Sequence, residues 1–337
     1  MGCTFSGLNA LYDAVSGGPD VWIHDRRFKL VRTLGEGGFS FVYLVKEQPG
    51  GRPGKQPINP SLTSDDGLYA LKKVVIQTEE QLELVKKEIQ TTSLFNHPNL
   101  LPLIDHAVIS VKGPQEGTWN QEAYLLFPVC LEGTLFDILA VMHGRKEYFT
   151  SVTVLKIFRQ ICAGIKYMHT LDPPYAHNDL KPGNILLLNR TDEVPVAMIM
   201  DFGSATTARR SIRSRAEALA VQEWASQHCS APYRAPELWD CPSTFDLDEK
   251  TDIWSLGCTL YALMYGVSPF EYSLGEAGGS LQLAAMSGQV KWPEGPKKPY
   301  LDSLHQFVLW MLKPQVELRP TIDDVVLHVD KLIAKLP

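Results

Sequence analysis

The sequence predicts an α+β protein of two lobes, a small β-rich lobe followed by a larger, mainly helical lobe. Residues 28–45 and 68–75 are rich in β-branched and aromatic side chains, which favour strands. In residues 153–171 the apolar side chains recur every three or four positions, as on the buried face of a helix. We therefore expect the small lobe to span residues 27–128 and the larger lobe residues 129–337.

The composition is that of a globular protein in a reducing compartment. Of the 337 residues, 45% are hydrophobic and 21% are charged. The net charge of −6 argues against a nucleic-acid partner, which would require clustered Lys and Arg. The six cysteines form no C-x-x-C pair, so neither a zinc site nor a disulfide framework is indicated. No apolar run in the sequence approaches the roughly 20 residues of a membrane span.

A glycine-rich loop follows the first predicted strand of the small lobe. In a dinucleotide-binding fold such a loop opens a helix. Here the next residues are Phe41-Val42-Tyr43-Leu44-Val45, which predict a second strand instead. A loop between two strands, with its backbone N–H groups over phosphates, is the arrangement found in kinases. The loop reads Gly35-Glu36-Gly37-Gly38-Phe39-Ser40, with Ser40 in the place of a third glycine.

Residues 47–67 interrupt the small lobe. Their density of Pro and Gly cannot sustain a strand ladder, and the stretch is long for a connection between neighbouring strands. We expect a mobile insertion. It is either a neutral insertion or a segment with a regulatory or partner-binding role.

Lys72 is the lysine of the next strand that we expect to face a nucleotide. Because side chains alternate along a strand, Ala70 and Lys72 share one face, and Lys73 points to the other. The pair corresponds to the Ala and Lys of the V-A-I-K pattern. Glu88, in the helix that follows, flanks the buried stripe of that helix and is predicted to reach Lys72. Glu83 is the competing candidate.

Four longer helices are predicted. Residues 78–95 form the key helix of the small lobe, with Thr78 as its N-cap. The apolar periodicity predicts further helices over residues 153–171 and 322–336. The helix over residues 252–265 is apolar nearly all round, so it is expected to be buried.

Residues 124–130 read as a buried strand that runs into the connector between the lobes. Backbone groups of residues 128–130 would meet the adenine edge of a nucleotide, with the bulky Phe127 behind it. Since Pro128 has no N–H group, the donor is expected from Cys130.

Two polar motifs give the sharpest indication of function. The segment between them reads as two buried strands joined by a polar turn, which would return Asp201 to the neighbourhood of Asn184. A carboxylate and an amide oxygen together suit Mg²⁺. Asp179 would stand beside them as the base for an incoming hydroxyl. The motifs are His177-Asn178-Asp179-Leu180-Lys181-Pro182-Gly183-Asn184 and Asp201-Phe202-Gly203.

These motifs match the kinase signatures H-R-D-L-x-x-x-N and D-F-G except at one position, where Asn178 replaces Arg. Over roughly residues 27–335 the chain therefore resembles the eukaryotic protein kinases. It resembles most the Numb-associated kinase family, and in particular its myristoylated and palmitoylated member. The other stretches that carry the resemblance are residues 35–40, Leu94-Phe95-Asn96-His97-Pro98-Asn99, Tyr233-Arg234-Ala235-Pro236-Glu237, Asp252-Ile253-Trp254-Ser255-Leu256-Gly257 and Arg319-Pro320.

The resemblance implies a bilobal kinase fold that transfers the γ-phosphate of MgATP to Ser or Thr hydroxyls of protein substrates. It implies that Asp179 accepts the substrate proton, Lys181 neutralises the transferring phosphoryl group, and Asn184 and Asp201 hold Mg²⁺. Lys72, fixed by Glu88, would bind the α- and β-phosphates. The implied nucleotide-binding set is Leu34, Gly35, Gly37, Gly38, Val42, Ala70, Lys72, Phe127 and Cys130. Glu237 and Arg319 match a buried structural ion pair of the family.

The activation segment, residues 201–237, contains a run of strong helix formers at residues 216–225. We expect a helix that buries Leu219 and Trp224 and is specific to this branch of the family; the alternative is an extended, partly mobile loop. Ser230 stands where Ser/Thr kinases place a hydroxyl that contacts the catalytic Asp and Lys.

Asn178 is the one departure from the central motif. The Arg of the family motif usually pairs with a phosphate on the activation segment and so orders it, and the uncharged Asn178 cannot make that pair. We therefore expect an enzyme that can autophosphorylate but is active without phosphorylation of this segment.

The N-terminal segment, residues 1–26, begins with Met1-Gly2-Cys3-Thr4-Phe5-Ser6 and fits the motif M-G-x-x-x-S for myristoylation of Gly2. Cys3 is a natural site for palmitoylation. Because residues 7–25 carry almost no positive charge, one acyl chain would bind only marginally, and Cys3 would supply the second signal. An unmodified terminus is the alternative.

The resemblance also implies where the protein is found. We expect it on the cytoplasmic face of Golgi, trans-Golgi or plasma membranes, with a cytosolic pool. The sequence does not define the oligomeric state, and a monomer is expected.

Two other classes of function remain. A membrane-tethered pseudokinase or scaffold would keep the fold without the chemistry, although Lys72, Glu88, Asp179, Asn184 and Asp201 are all present. A small-molecule kinase would typically lack the Ala235-Pro236-Glu237 stretch that shapes a peptide groove.

Overall fold

A computed structural model describes residues 20–37, 40–49, 67–112, 119–188, 194–275, 278–293 and 300–336. The chain divides into two compact units of the predicted α+β class. Unit 1 comprises residues 1–94 and 101–131, and unit 2 comprises residues 95–100 and 132–337. Among the described residues, no helix combines the length and the apolar character that crossing a membrane requires.

Unit 1 is built on a six-stranded antiparallel sheet in the order β1-β2-β3-β4-β6-β5. The strands are β1 (Asp20–Ile23), β2 (Arg26–Glu36), β3 (Ser40–Glu47), β4 (Leu68–Ile76), β5 (Asp105–Lys112) and β6 (Trp119–Pro128). The sheet begins at Asp20, whereas the sequence analysis began the folded domain at Arg27. The earlier start has a packing reason, because Ile23 is fully buried in the same core as Phe28.

The sheet of unit 1 has an apolar core on each face, because side chains alternate along its strands. One core contains Phe28, Val45, Tyr69, Leu71 and Leu126. The other packs against helix α1 (Glu79–Leu94), whose buried stripe of Leu82, Val85 and Ile89 was predicted from the sequence. The Thr78 hydroxyl accepts a hydrogen bond from the Gln81 N–H at 3.2 Å, so the predicted cap is confirmed.

Unit 2 is mainly helical. Its helices are α2 (Leu135–Gly144), α3 (Ser151–His169), α4 (Arg215–His228), α5 (Pro236–Trp239), α6 (Lys250–Tyr265), α7 (Pro269–Leu274), α8 (Leu281–Ser287), α9 (Asp302–Met311) and α10 (Ile322–Ile333). Three short antiparallel pairs join β8 (Ile185–Leu188) to β9 (Val196–Ile199), β7 (Tyr175–Ala176) to β10 (Thr206–Thr207), and β11 (Arg210–Ile212) to β12 (Phe245–Leu247).

Residues 95–100 belong to unit 2, although the sequence analysis placed them in the first lobe. Backbone pairing gives the reason. The Ile199 N–H of β9 donates to the Asn99 carbonyl at 2.8 Å, and Leu100 forms a bridge with Ile199. The side chain of Asn99 also donates to the Ala197 carbonyl at 2.8 Å.

Helix α6 is the centre of unit 2, and every residue from Thr251 to Tyr265 in it is buried, as its apolar sequence predicted. Beside it, Arg319 donates through two nitrogens to the two carboxylate oxygens of Glu237, both at 2.7 Å. The side chains of this pair are 0% and 4% exposed. Removing one partner of such a pair would leave a buried charge, so the pair belongs to the stability of unit 2.

The helix predicted within the activation segment is present as α4. Ser214 caps it, because its hydroxyl accepts from the Glu217 N–H at 3.2 Å. The prediction that Leu219 is buried is wrong, since that side chain is 48% exposed. Helix α4 instead buries its small residues Ala218, Val221 and Ala225, which allow close approach to the core.

The predicted insertion begins and ends at two strand termini that are joined to each other. The Glu47 N–H donates to the Gly67 carbonyl at 2.9 Å, and Gly67 has a φ of +66°, which glycine adopts without strain. Residues 50–66 lie outside the described residues. The end of β3 and the start of β4 are therefore held together by backbone hydrogen bonds between the two strands.

Replacing residues 50–66 with a two-residue Asn-Gly turn is expected to spare folding. The connection between Glu47 and Leu68 would shorten from 20 residues to five, which is two halvings of its length. Loop closure changes by only about 0.6 kcal/mol per doubling of length, so the free energy of unfolding should change by about 1 kcal/mol. Denaturant unfolding of the shortened and full chains checks this. A shortened chain that fails to fold would mean that the insertion packs on unit 1.

Candidate active site

The glycine-rich loop of unit 1 is the tight connection between β2 and β3. Gly35 pairs with Val42 across these strands, and Leu34 lies at an irregularity of the ladder between Thr33 and Gly35. The Gly37 N–H donates to the Ser40 carbonyl at 2.7 Å. A Cβ atom on Gly37 would lie 3.0 Å from the Ser40 hydroxyl, so a larger residue there would require the Ser40 side chain to shift. Gly38 lies outside the described residues.

Lys72 and Glu88 form the ion pair expected between β4 and α1. The Lys72 Nζ atom lies 2.6 Å from a Glu88 carboxylate oxygen. Their side chains are 22% and 13% exposed, so the pair is partly shielded from water. The competing candidate, Glu83, pairs instead with Lys86 at 2.8 Å, on the exposed side of the helix.

Lys73 has a different partner on the opposite face of the sheet. Its Nζ atom lies 2.7 Å from Glu122 and 5.9 Å from the centre of the Tyr124 ring. Lys73 is paired with Tyr124 in the register of β4 and β6, whereas Lys72 is paired with Leu125. The strand alternation that the sequence analysis assumed is therefore confirmed.

The remaining predicted nucleotide-binding residues of unit 1 lie near Lys72 in the sheet. Val42 is opposite Lys72 in β3. Ala70, two residues before Lys72, is opposite Phe127 in β6. These side chains share the face of Lys72, because cross-strand partners point to the same side of a sheet. Cys130 is half-buried and follows the end of β6.

In unit 2 the loop after β7 carries the predicted catalytic base. The Asp179 carboxylate accepts from Lys181 Nζ at 2.8 Å and from the Asn184 side-chain amide at 3.0 Å. Its other oxygen accepts from the Ser230 N–H at 2.8 Å. Lys181 also donates to the Ser230 hydroxyl at 2.6 Å. The structure thus brings Asp179, Lys181, Asn184 and Ser230 together.

Asn184 and Asp201 are brought together by the hairpin of β8 and β9. The Met200 N–H, immediately before Asp201, donates to the Asn184 carbonyl at 2.9 Å. The Asn184 amide nitrogen donates to the carbonyl and the carboxylate of Asp179, so the amide oxygen is not used in these bonds. An amide oxygen and a carboxylate are hard donors, so this pair fits Mg²⁺, which keeps several waters or phosphate oxygens as further ligands.

Asp201 is held in an uncommon backbone conformation. Its φ is +63°, and the next residue, Phe202, is 2% exposed. The Phe202 ring packs edge-on against Phe95 at 4.9 Å and against His177 at 5.6 Å between ring centres. Asp201 is therefore exposed while the residue that follows it, Phe202, is fixed in the core.

Asp252, at the start of α6, fixes the backbone of the loop that carries Asp179. Its carboxylate accepts from the backbone N–H groups of His177 at 2.8 Å and Asn178 at 2.9 Å. His169 Nε2 lies 3.0 Å from the same carboxylate. Burial acts to raise the pKa of Asp252, but the hydrogen bond and charge of His169, together with His177, outweigh it and lower the pKa.

Asn178 fixes the start of the activation segment through its side chain. Its φ is +65°, a conformation that Asn tolerates better than most residues. The amide nitrogen donates to the carbonyls of Ala176 at 3.2 Å and Ser204 at 3.1 Å, and to the Thr206 hydroxyl at 3.1 Å. The neutral side chain thus binds two positions of the segment without a phosphate.

Sequence reasoning gave no role to His169 and treated Asp252 only as a point of resemblance. A signal was available for Asp252, since an aspartate within an apolar helix must be paired when it is buried. The role of His169 could not be found in this way, because only the fold brings it to Asp252.

The chain belongs to the protein kinase family. The sequence profile of the protein kinase domain matches residues 28–329. The class defined by the fold and the site is therefore that of enzymes that transfer phosphate from ATP, and members of this family use Mg²⁺ with the nucleotide.

Curated relatives define the type of kinase. The chain is 33% identical to human serine/threonine-protein kinase 16 over 316 residues, covering 94% of this chain and 91% of that protein. It is 31% identical over 371 residues to a probable serine/threonine-protein kinase of Dictyostelium discoideum, covering 92% and 95%. It is 29% identical over 341 residues to serine/threonine-protein kinase ppk13 of Schizosaccharomyces pombe, covering 92% of each. The protein is thus an enzyme of the serine/threonine-protein kinase type.

Substitution of the two neighbouring lysines is expected to have unequal effects. Lys72→Ala should lower kcat/KM for phosphorylation of a generic protein substrate by about 10²-fold or more, because the variant loses the positive charge that is predicted to bind the nucleotide phosphates. Asp179→Asn should lower kcat/KM by about 10²–10⁴-fold if Asp179 is the base, as the sequence predicts. Lys73→Ala is the matched control, since Lys73 also pairs with a glutamate but on the other face. If Lys73→Ala were the inactive variant, the assignment of Lys72 would be wrong.

Proposed function

We propose that this protein is a membrane-associated serine/threonine protein kinase that phosphorylates protein substrates and works without phosphorylation of its activation segment. Within the protein kinases we assign it to the Numb-associated family, on the residues that carry that resemblance and on the helix α4 in the activation segment. The observation that supports the chemistry best is the contact of Asp179 and Lys181 with each other and with Ser230.

Asp179 is suited to accept the proton of the substrate hydroxyl. Its carboxylate is held by Lys181, Asn184 and the Ser230 backbone, so it is oriented before the substrate arrives. Lys181 is suited to balance the negative charge that builds up on the transferring phosphoryl group. General base catalysis of this kind contributes about 10²–10⁴-fold, and charge stabilisation and positioning supply most of the rest.

Asn184 and Asp201 would hold Mg²⁺, which when bound neutralises charge on the nucleotide phosphates. Their oxygen donors and the backbone bond between their segments support this assignment. In the part of the chain that the structure describes, no group of three or more His, Cys, Asp or Glu side chains is arranged for a metal ion. A site of only two protein ligands agrees with a metal that reaches the enzyme together with its nucleotide.

Lys72 is suited to bind the α- and β-phosphates, and Glu88 fixes its position. A catalytically inactive scaffold is the alternative function. Lys72, Glu88, Asp179, Asn184 and Asp201 are all present, and this supports catalysis over the scaffold. Release of phosphate from ATP onto a generic protein substrate, with and without Mg²⁺, distinguishes the two.

The activation segment is ordered by hydrogen bonds that need no added charge. Asn178 donates to Ser204 and Thr206, and the Ser204 hydroxyl donates to the His228 carbonyl at the end of α4, at 2.8 Å. A hydrogen bond of this kind contributes about 1 kcal/mol net to the stability of the folded segment. Autophosphorylation of the segment is then a product of activity and not a condition for it.

Unphosphorylated enzyme is expected to be active from its first turnover. The kinase is expressed with a phosphatase, an unphosphorylated segment is verified by mass, and product is followed from mixing with MgATP. We expect no lag, because Asn178 and α4 already order the segment. A lag that disappears after pre-incubation with ATP would contradict this.

Asn178→Asp provides the matched comparison for this experiment. Aspartate has the same shape and tolerates the same backbone conformation, but its carboxylate cannot donate to Ser204 or Thr206. We expect kcat to fall by on the order of tenfold, since two hydrogen bonds of about 1 kcal/mol are lost. Full activity of Asn178→Asp would mean that these bonds do not order the segment.

The membrane association that we propose rests on the N-terminal sequence, which lies outside the described residues. Gly2 fits the myristoylation motif, and Cys3 beside it would be palmitoylated. One myristoyl chain binds a bilayer with only about 10⁴ M⁻¹, so stable attachment needs both chains. We propose that the protein is held in this way on the cytoplasmic face of Golgi or plasma membranes, with a cytosolic pool.

Gly2→Ala should make the protein soluble in cells, because loss of the myristoyl chain also removes the context for modification of Cys3. Cys3→Ser should give weak, exchanging attachment, since one chain remains. Cell fractionation and recovery of fluorescence after photobleaching measure the two outcomes. Tight retention of Cys3→Ser on membranes would argue against the need for two chains.

A further inference from the structure

A groove lies between the two outermost strands of the sheet in unit 1. β1 and β5 stand at opposite ends of the strand order, so each has a single neighbour in the sheet. The groove has a volume of about 600 Å³. Its apolar lining includes Val21, Trp22, Ala107, Val108, Ile109 and Val111.

The groove exposes large apolar side chains. Trp22 is 52% exposed, Val108 is 40% exposed and Ile109 is 37% exposed. Contiguous apolar surface of this kind marks a binding site more often than scattered single residues do. At one end of β1, His24 lies 3.2 Å from Asp105 at the start of β5. At the other end Asp20 lines the groove, and residues 1–19 join the described chain there.

We propose that residues 8–15 of this same chain bind in the groove as an amphipathic helix. Leu8, Leu11, Tyr12 and Val15 are spaced at i, i+3, i+4 and i+7, which places them on one face of a helix. An amphipathic helix that lays its apolar face into an apolar groove is a recurrent mode of recognition. The only charged residue in positions 1–19 is Asp13, so the contact is apolar.

The dimensions of segment and groove agree. Eight helical residues span about 12 Å, and the four residues of β1 span about 13 Å. Ser16-Gly17-Gly18-Pro19 connects the two, and its glycines permit the chain to turn back on itself. A short linker keeps the effective concentration of the segment near millimolar, so a weak contact suffices to hold it. The inference does not rest on acylation of Gly2.

Hydrogen exchange of the full chain, purified without acylation, tests this proposal. We expect the backbone N–H groups of residues 8–15 to exchange at least about tenfold more slowly than in an unstructured peptide, as docking protects them. Val108→Asp, which puts a charge in the groove, should abolish this protection. Leu11→Asp should do the same from the side of the segment.

Val31→Asp is the matched control. Val31 is also an exposed valine on a strand, at 52% exposure, but it does not line the groove. The Val31→Asp variant should leave the slow hydrogen exchange of residues 8–15 unchanged. Thermal unfolding of each variant verifies that the sheet is intact.

Three outcomes would overturn the proposal. Exchange of residues 8–15 at the unstructured rate would mean that the segment does not dock. Protection that survives Val108→Asp would place it elsewhere. Protection that is lost on dilution would mean that the groove binds the segment of a second copy.

Discussion

The buried carboxylate of Asp252 is the interaction on which the catalytic loop depends. It has no exposure to water, and it accepts hydrogen bonds from the backbone of His177 and Asn178, next to Asp179. Within the described part of the chain, His169 Nδ1 is buried without a hydrogen-bond partner, whereas its Nε2 lies 3.0 Å from the Asp252 carboxylate. Because the pKa of Asp252 is lowered in the folded state, its contribution is present at neutral pH and is lost as the pH falls below about 4.

The catalytic loop also connects Asp252 to Asn184 and Asp201, the pair that we propose to hold Mg²⁺. His177 accepts from the Asp179 N–H through Nδ1 at 3.3 Å, and its Nε2 lies 3.2 Å from the Met200 carbonyl. The His177 ring therefore connects Asp179, the proposed base, to the residue before Asp201. The same loop holds Asn178, whose backbone is fixed by Asp252 and whose side chain reaches the activation segment. A single buried aspartate thus positions both the catalytic loop and the residue that orders the segment.

The sequence predicted correctly those features that depend on neighbouring residues. The alternation of β4 separated Lys72 from Lys73, and the helix formers of residues 216–225 predicted α4. The predictions that failed concern features that depend on tertiary packing. Leu219 is exposed because the small side chains Ala218 and Val221 allow α4 to approach the core more closely than leucine would. The early start at Asp20 depends on pairing with β2 and on burial of Ile23, which four residues of sequence do not reveal.

Charged side chains around the activation segment also bear on whether the segment needs a phosphate. Two arginines of the segment already have carboxylate partners, since Arg209 pairs with Glu249 at 3.1 Å and Arg213 pairs with Asp246. The Ser211 hydroxyl donates to Asp246 at 2.7 Å, and this bond and Arg213 lower the pKa of Asp246. Phosphorylation of Ser211 would replace its donating hydroxyl with a doubly negative phosphate beside the Asp246 carboxylate, and the two negative groups would repel each other. These contacts are exposed to solvent and therefore individually weak, so the repulsion would loosen the pairing of β11 with β12 without unfolding the unit. The contacts of Ser211 and Arg213 with Asp246 therefore agree with our proposal that the activation segment works without a phosphate.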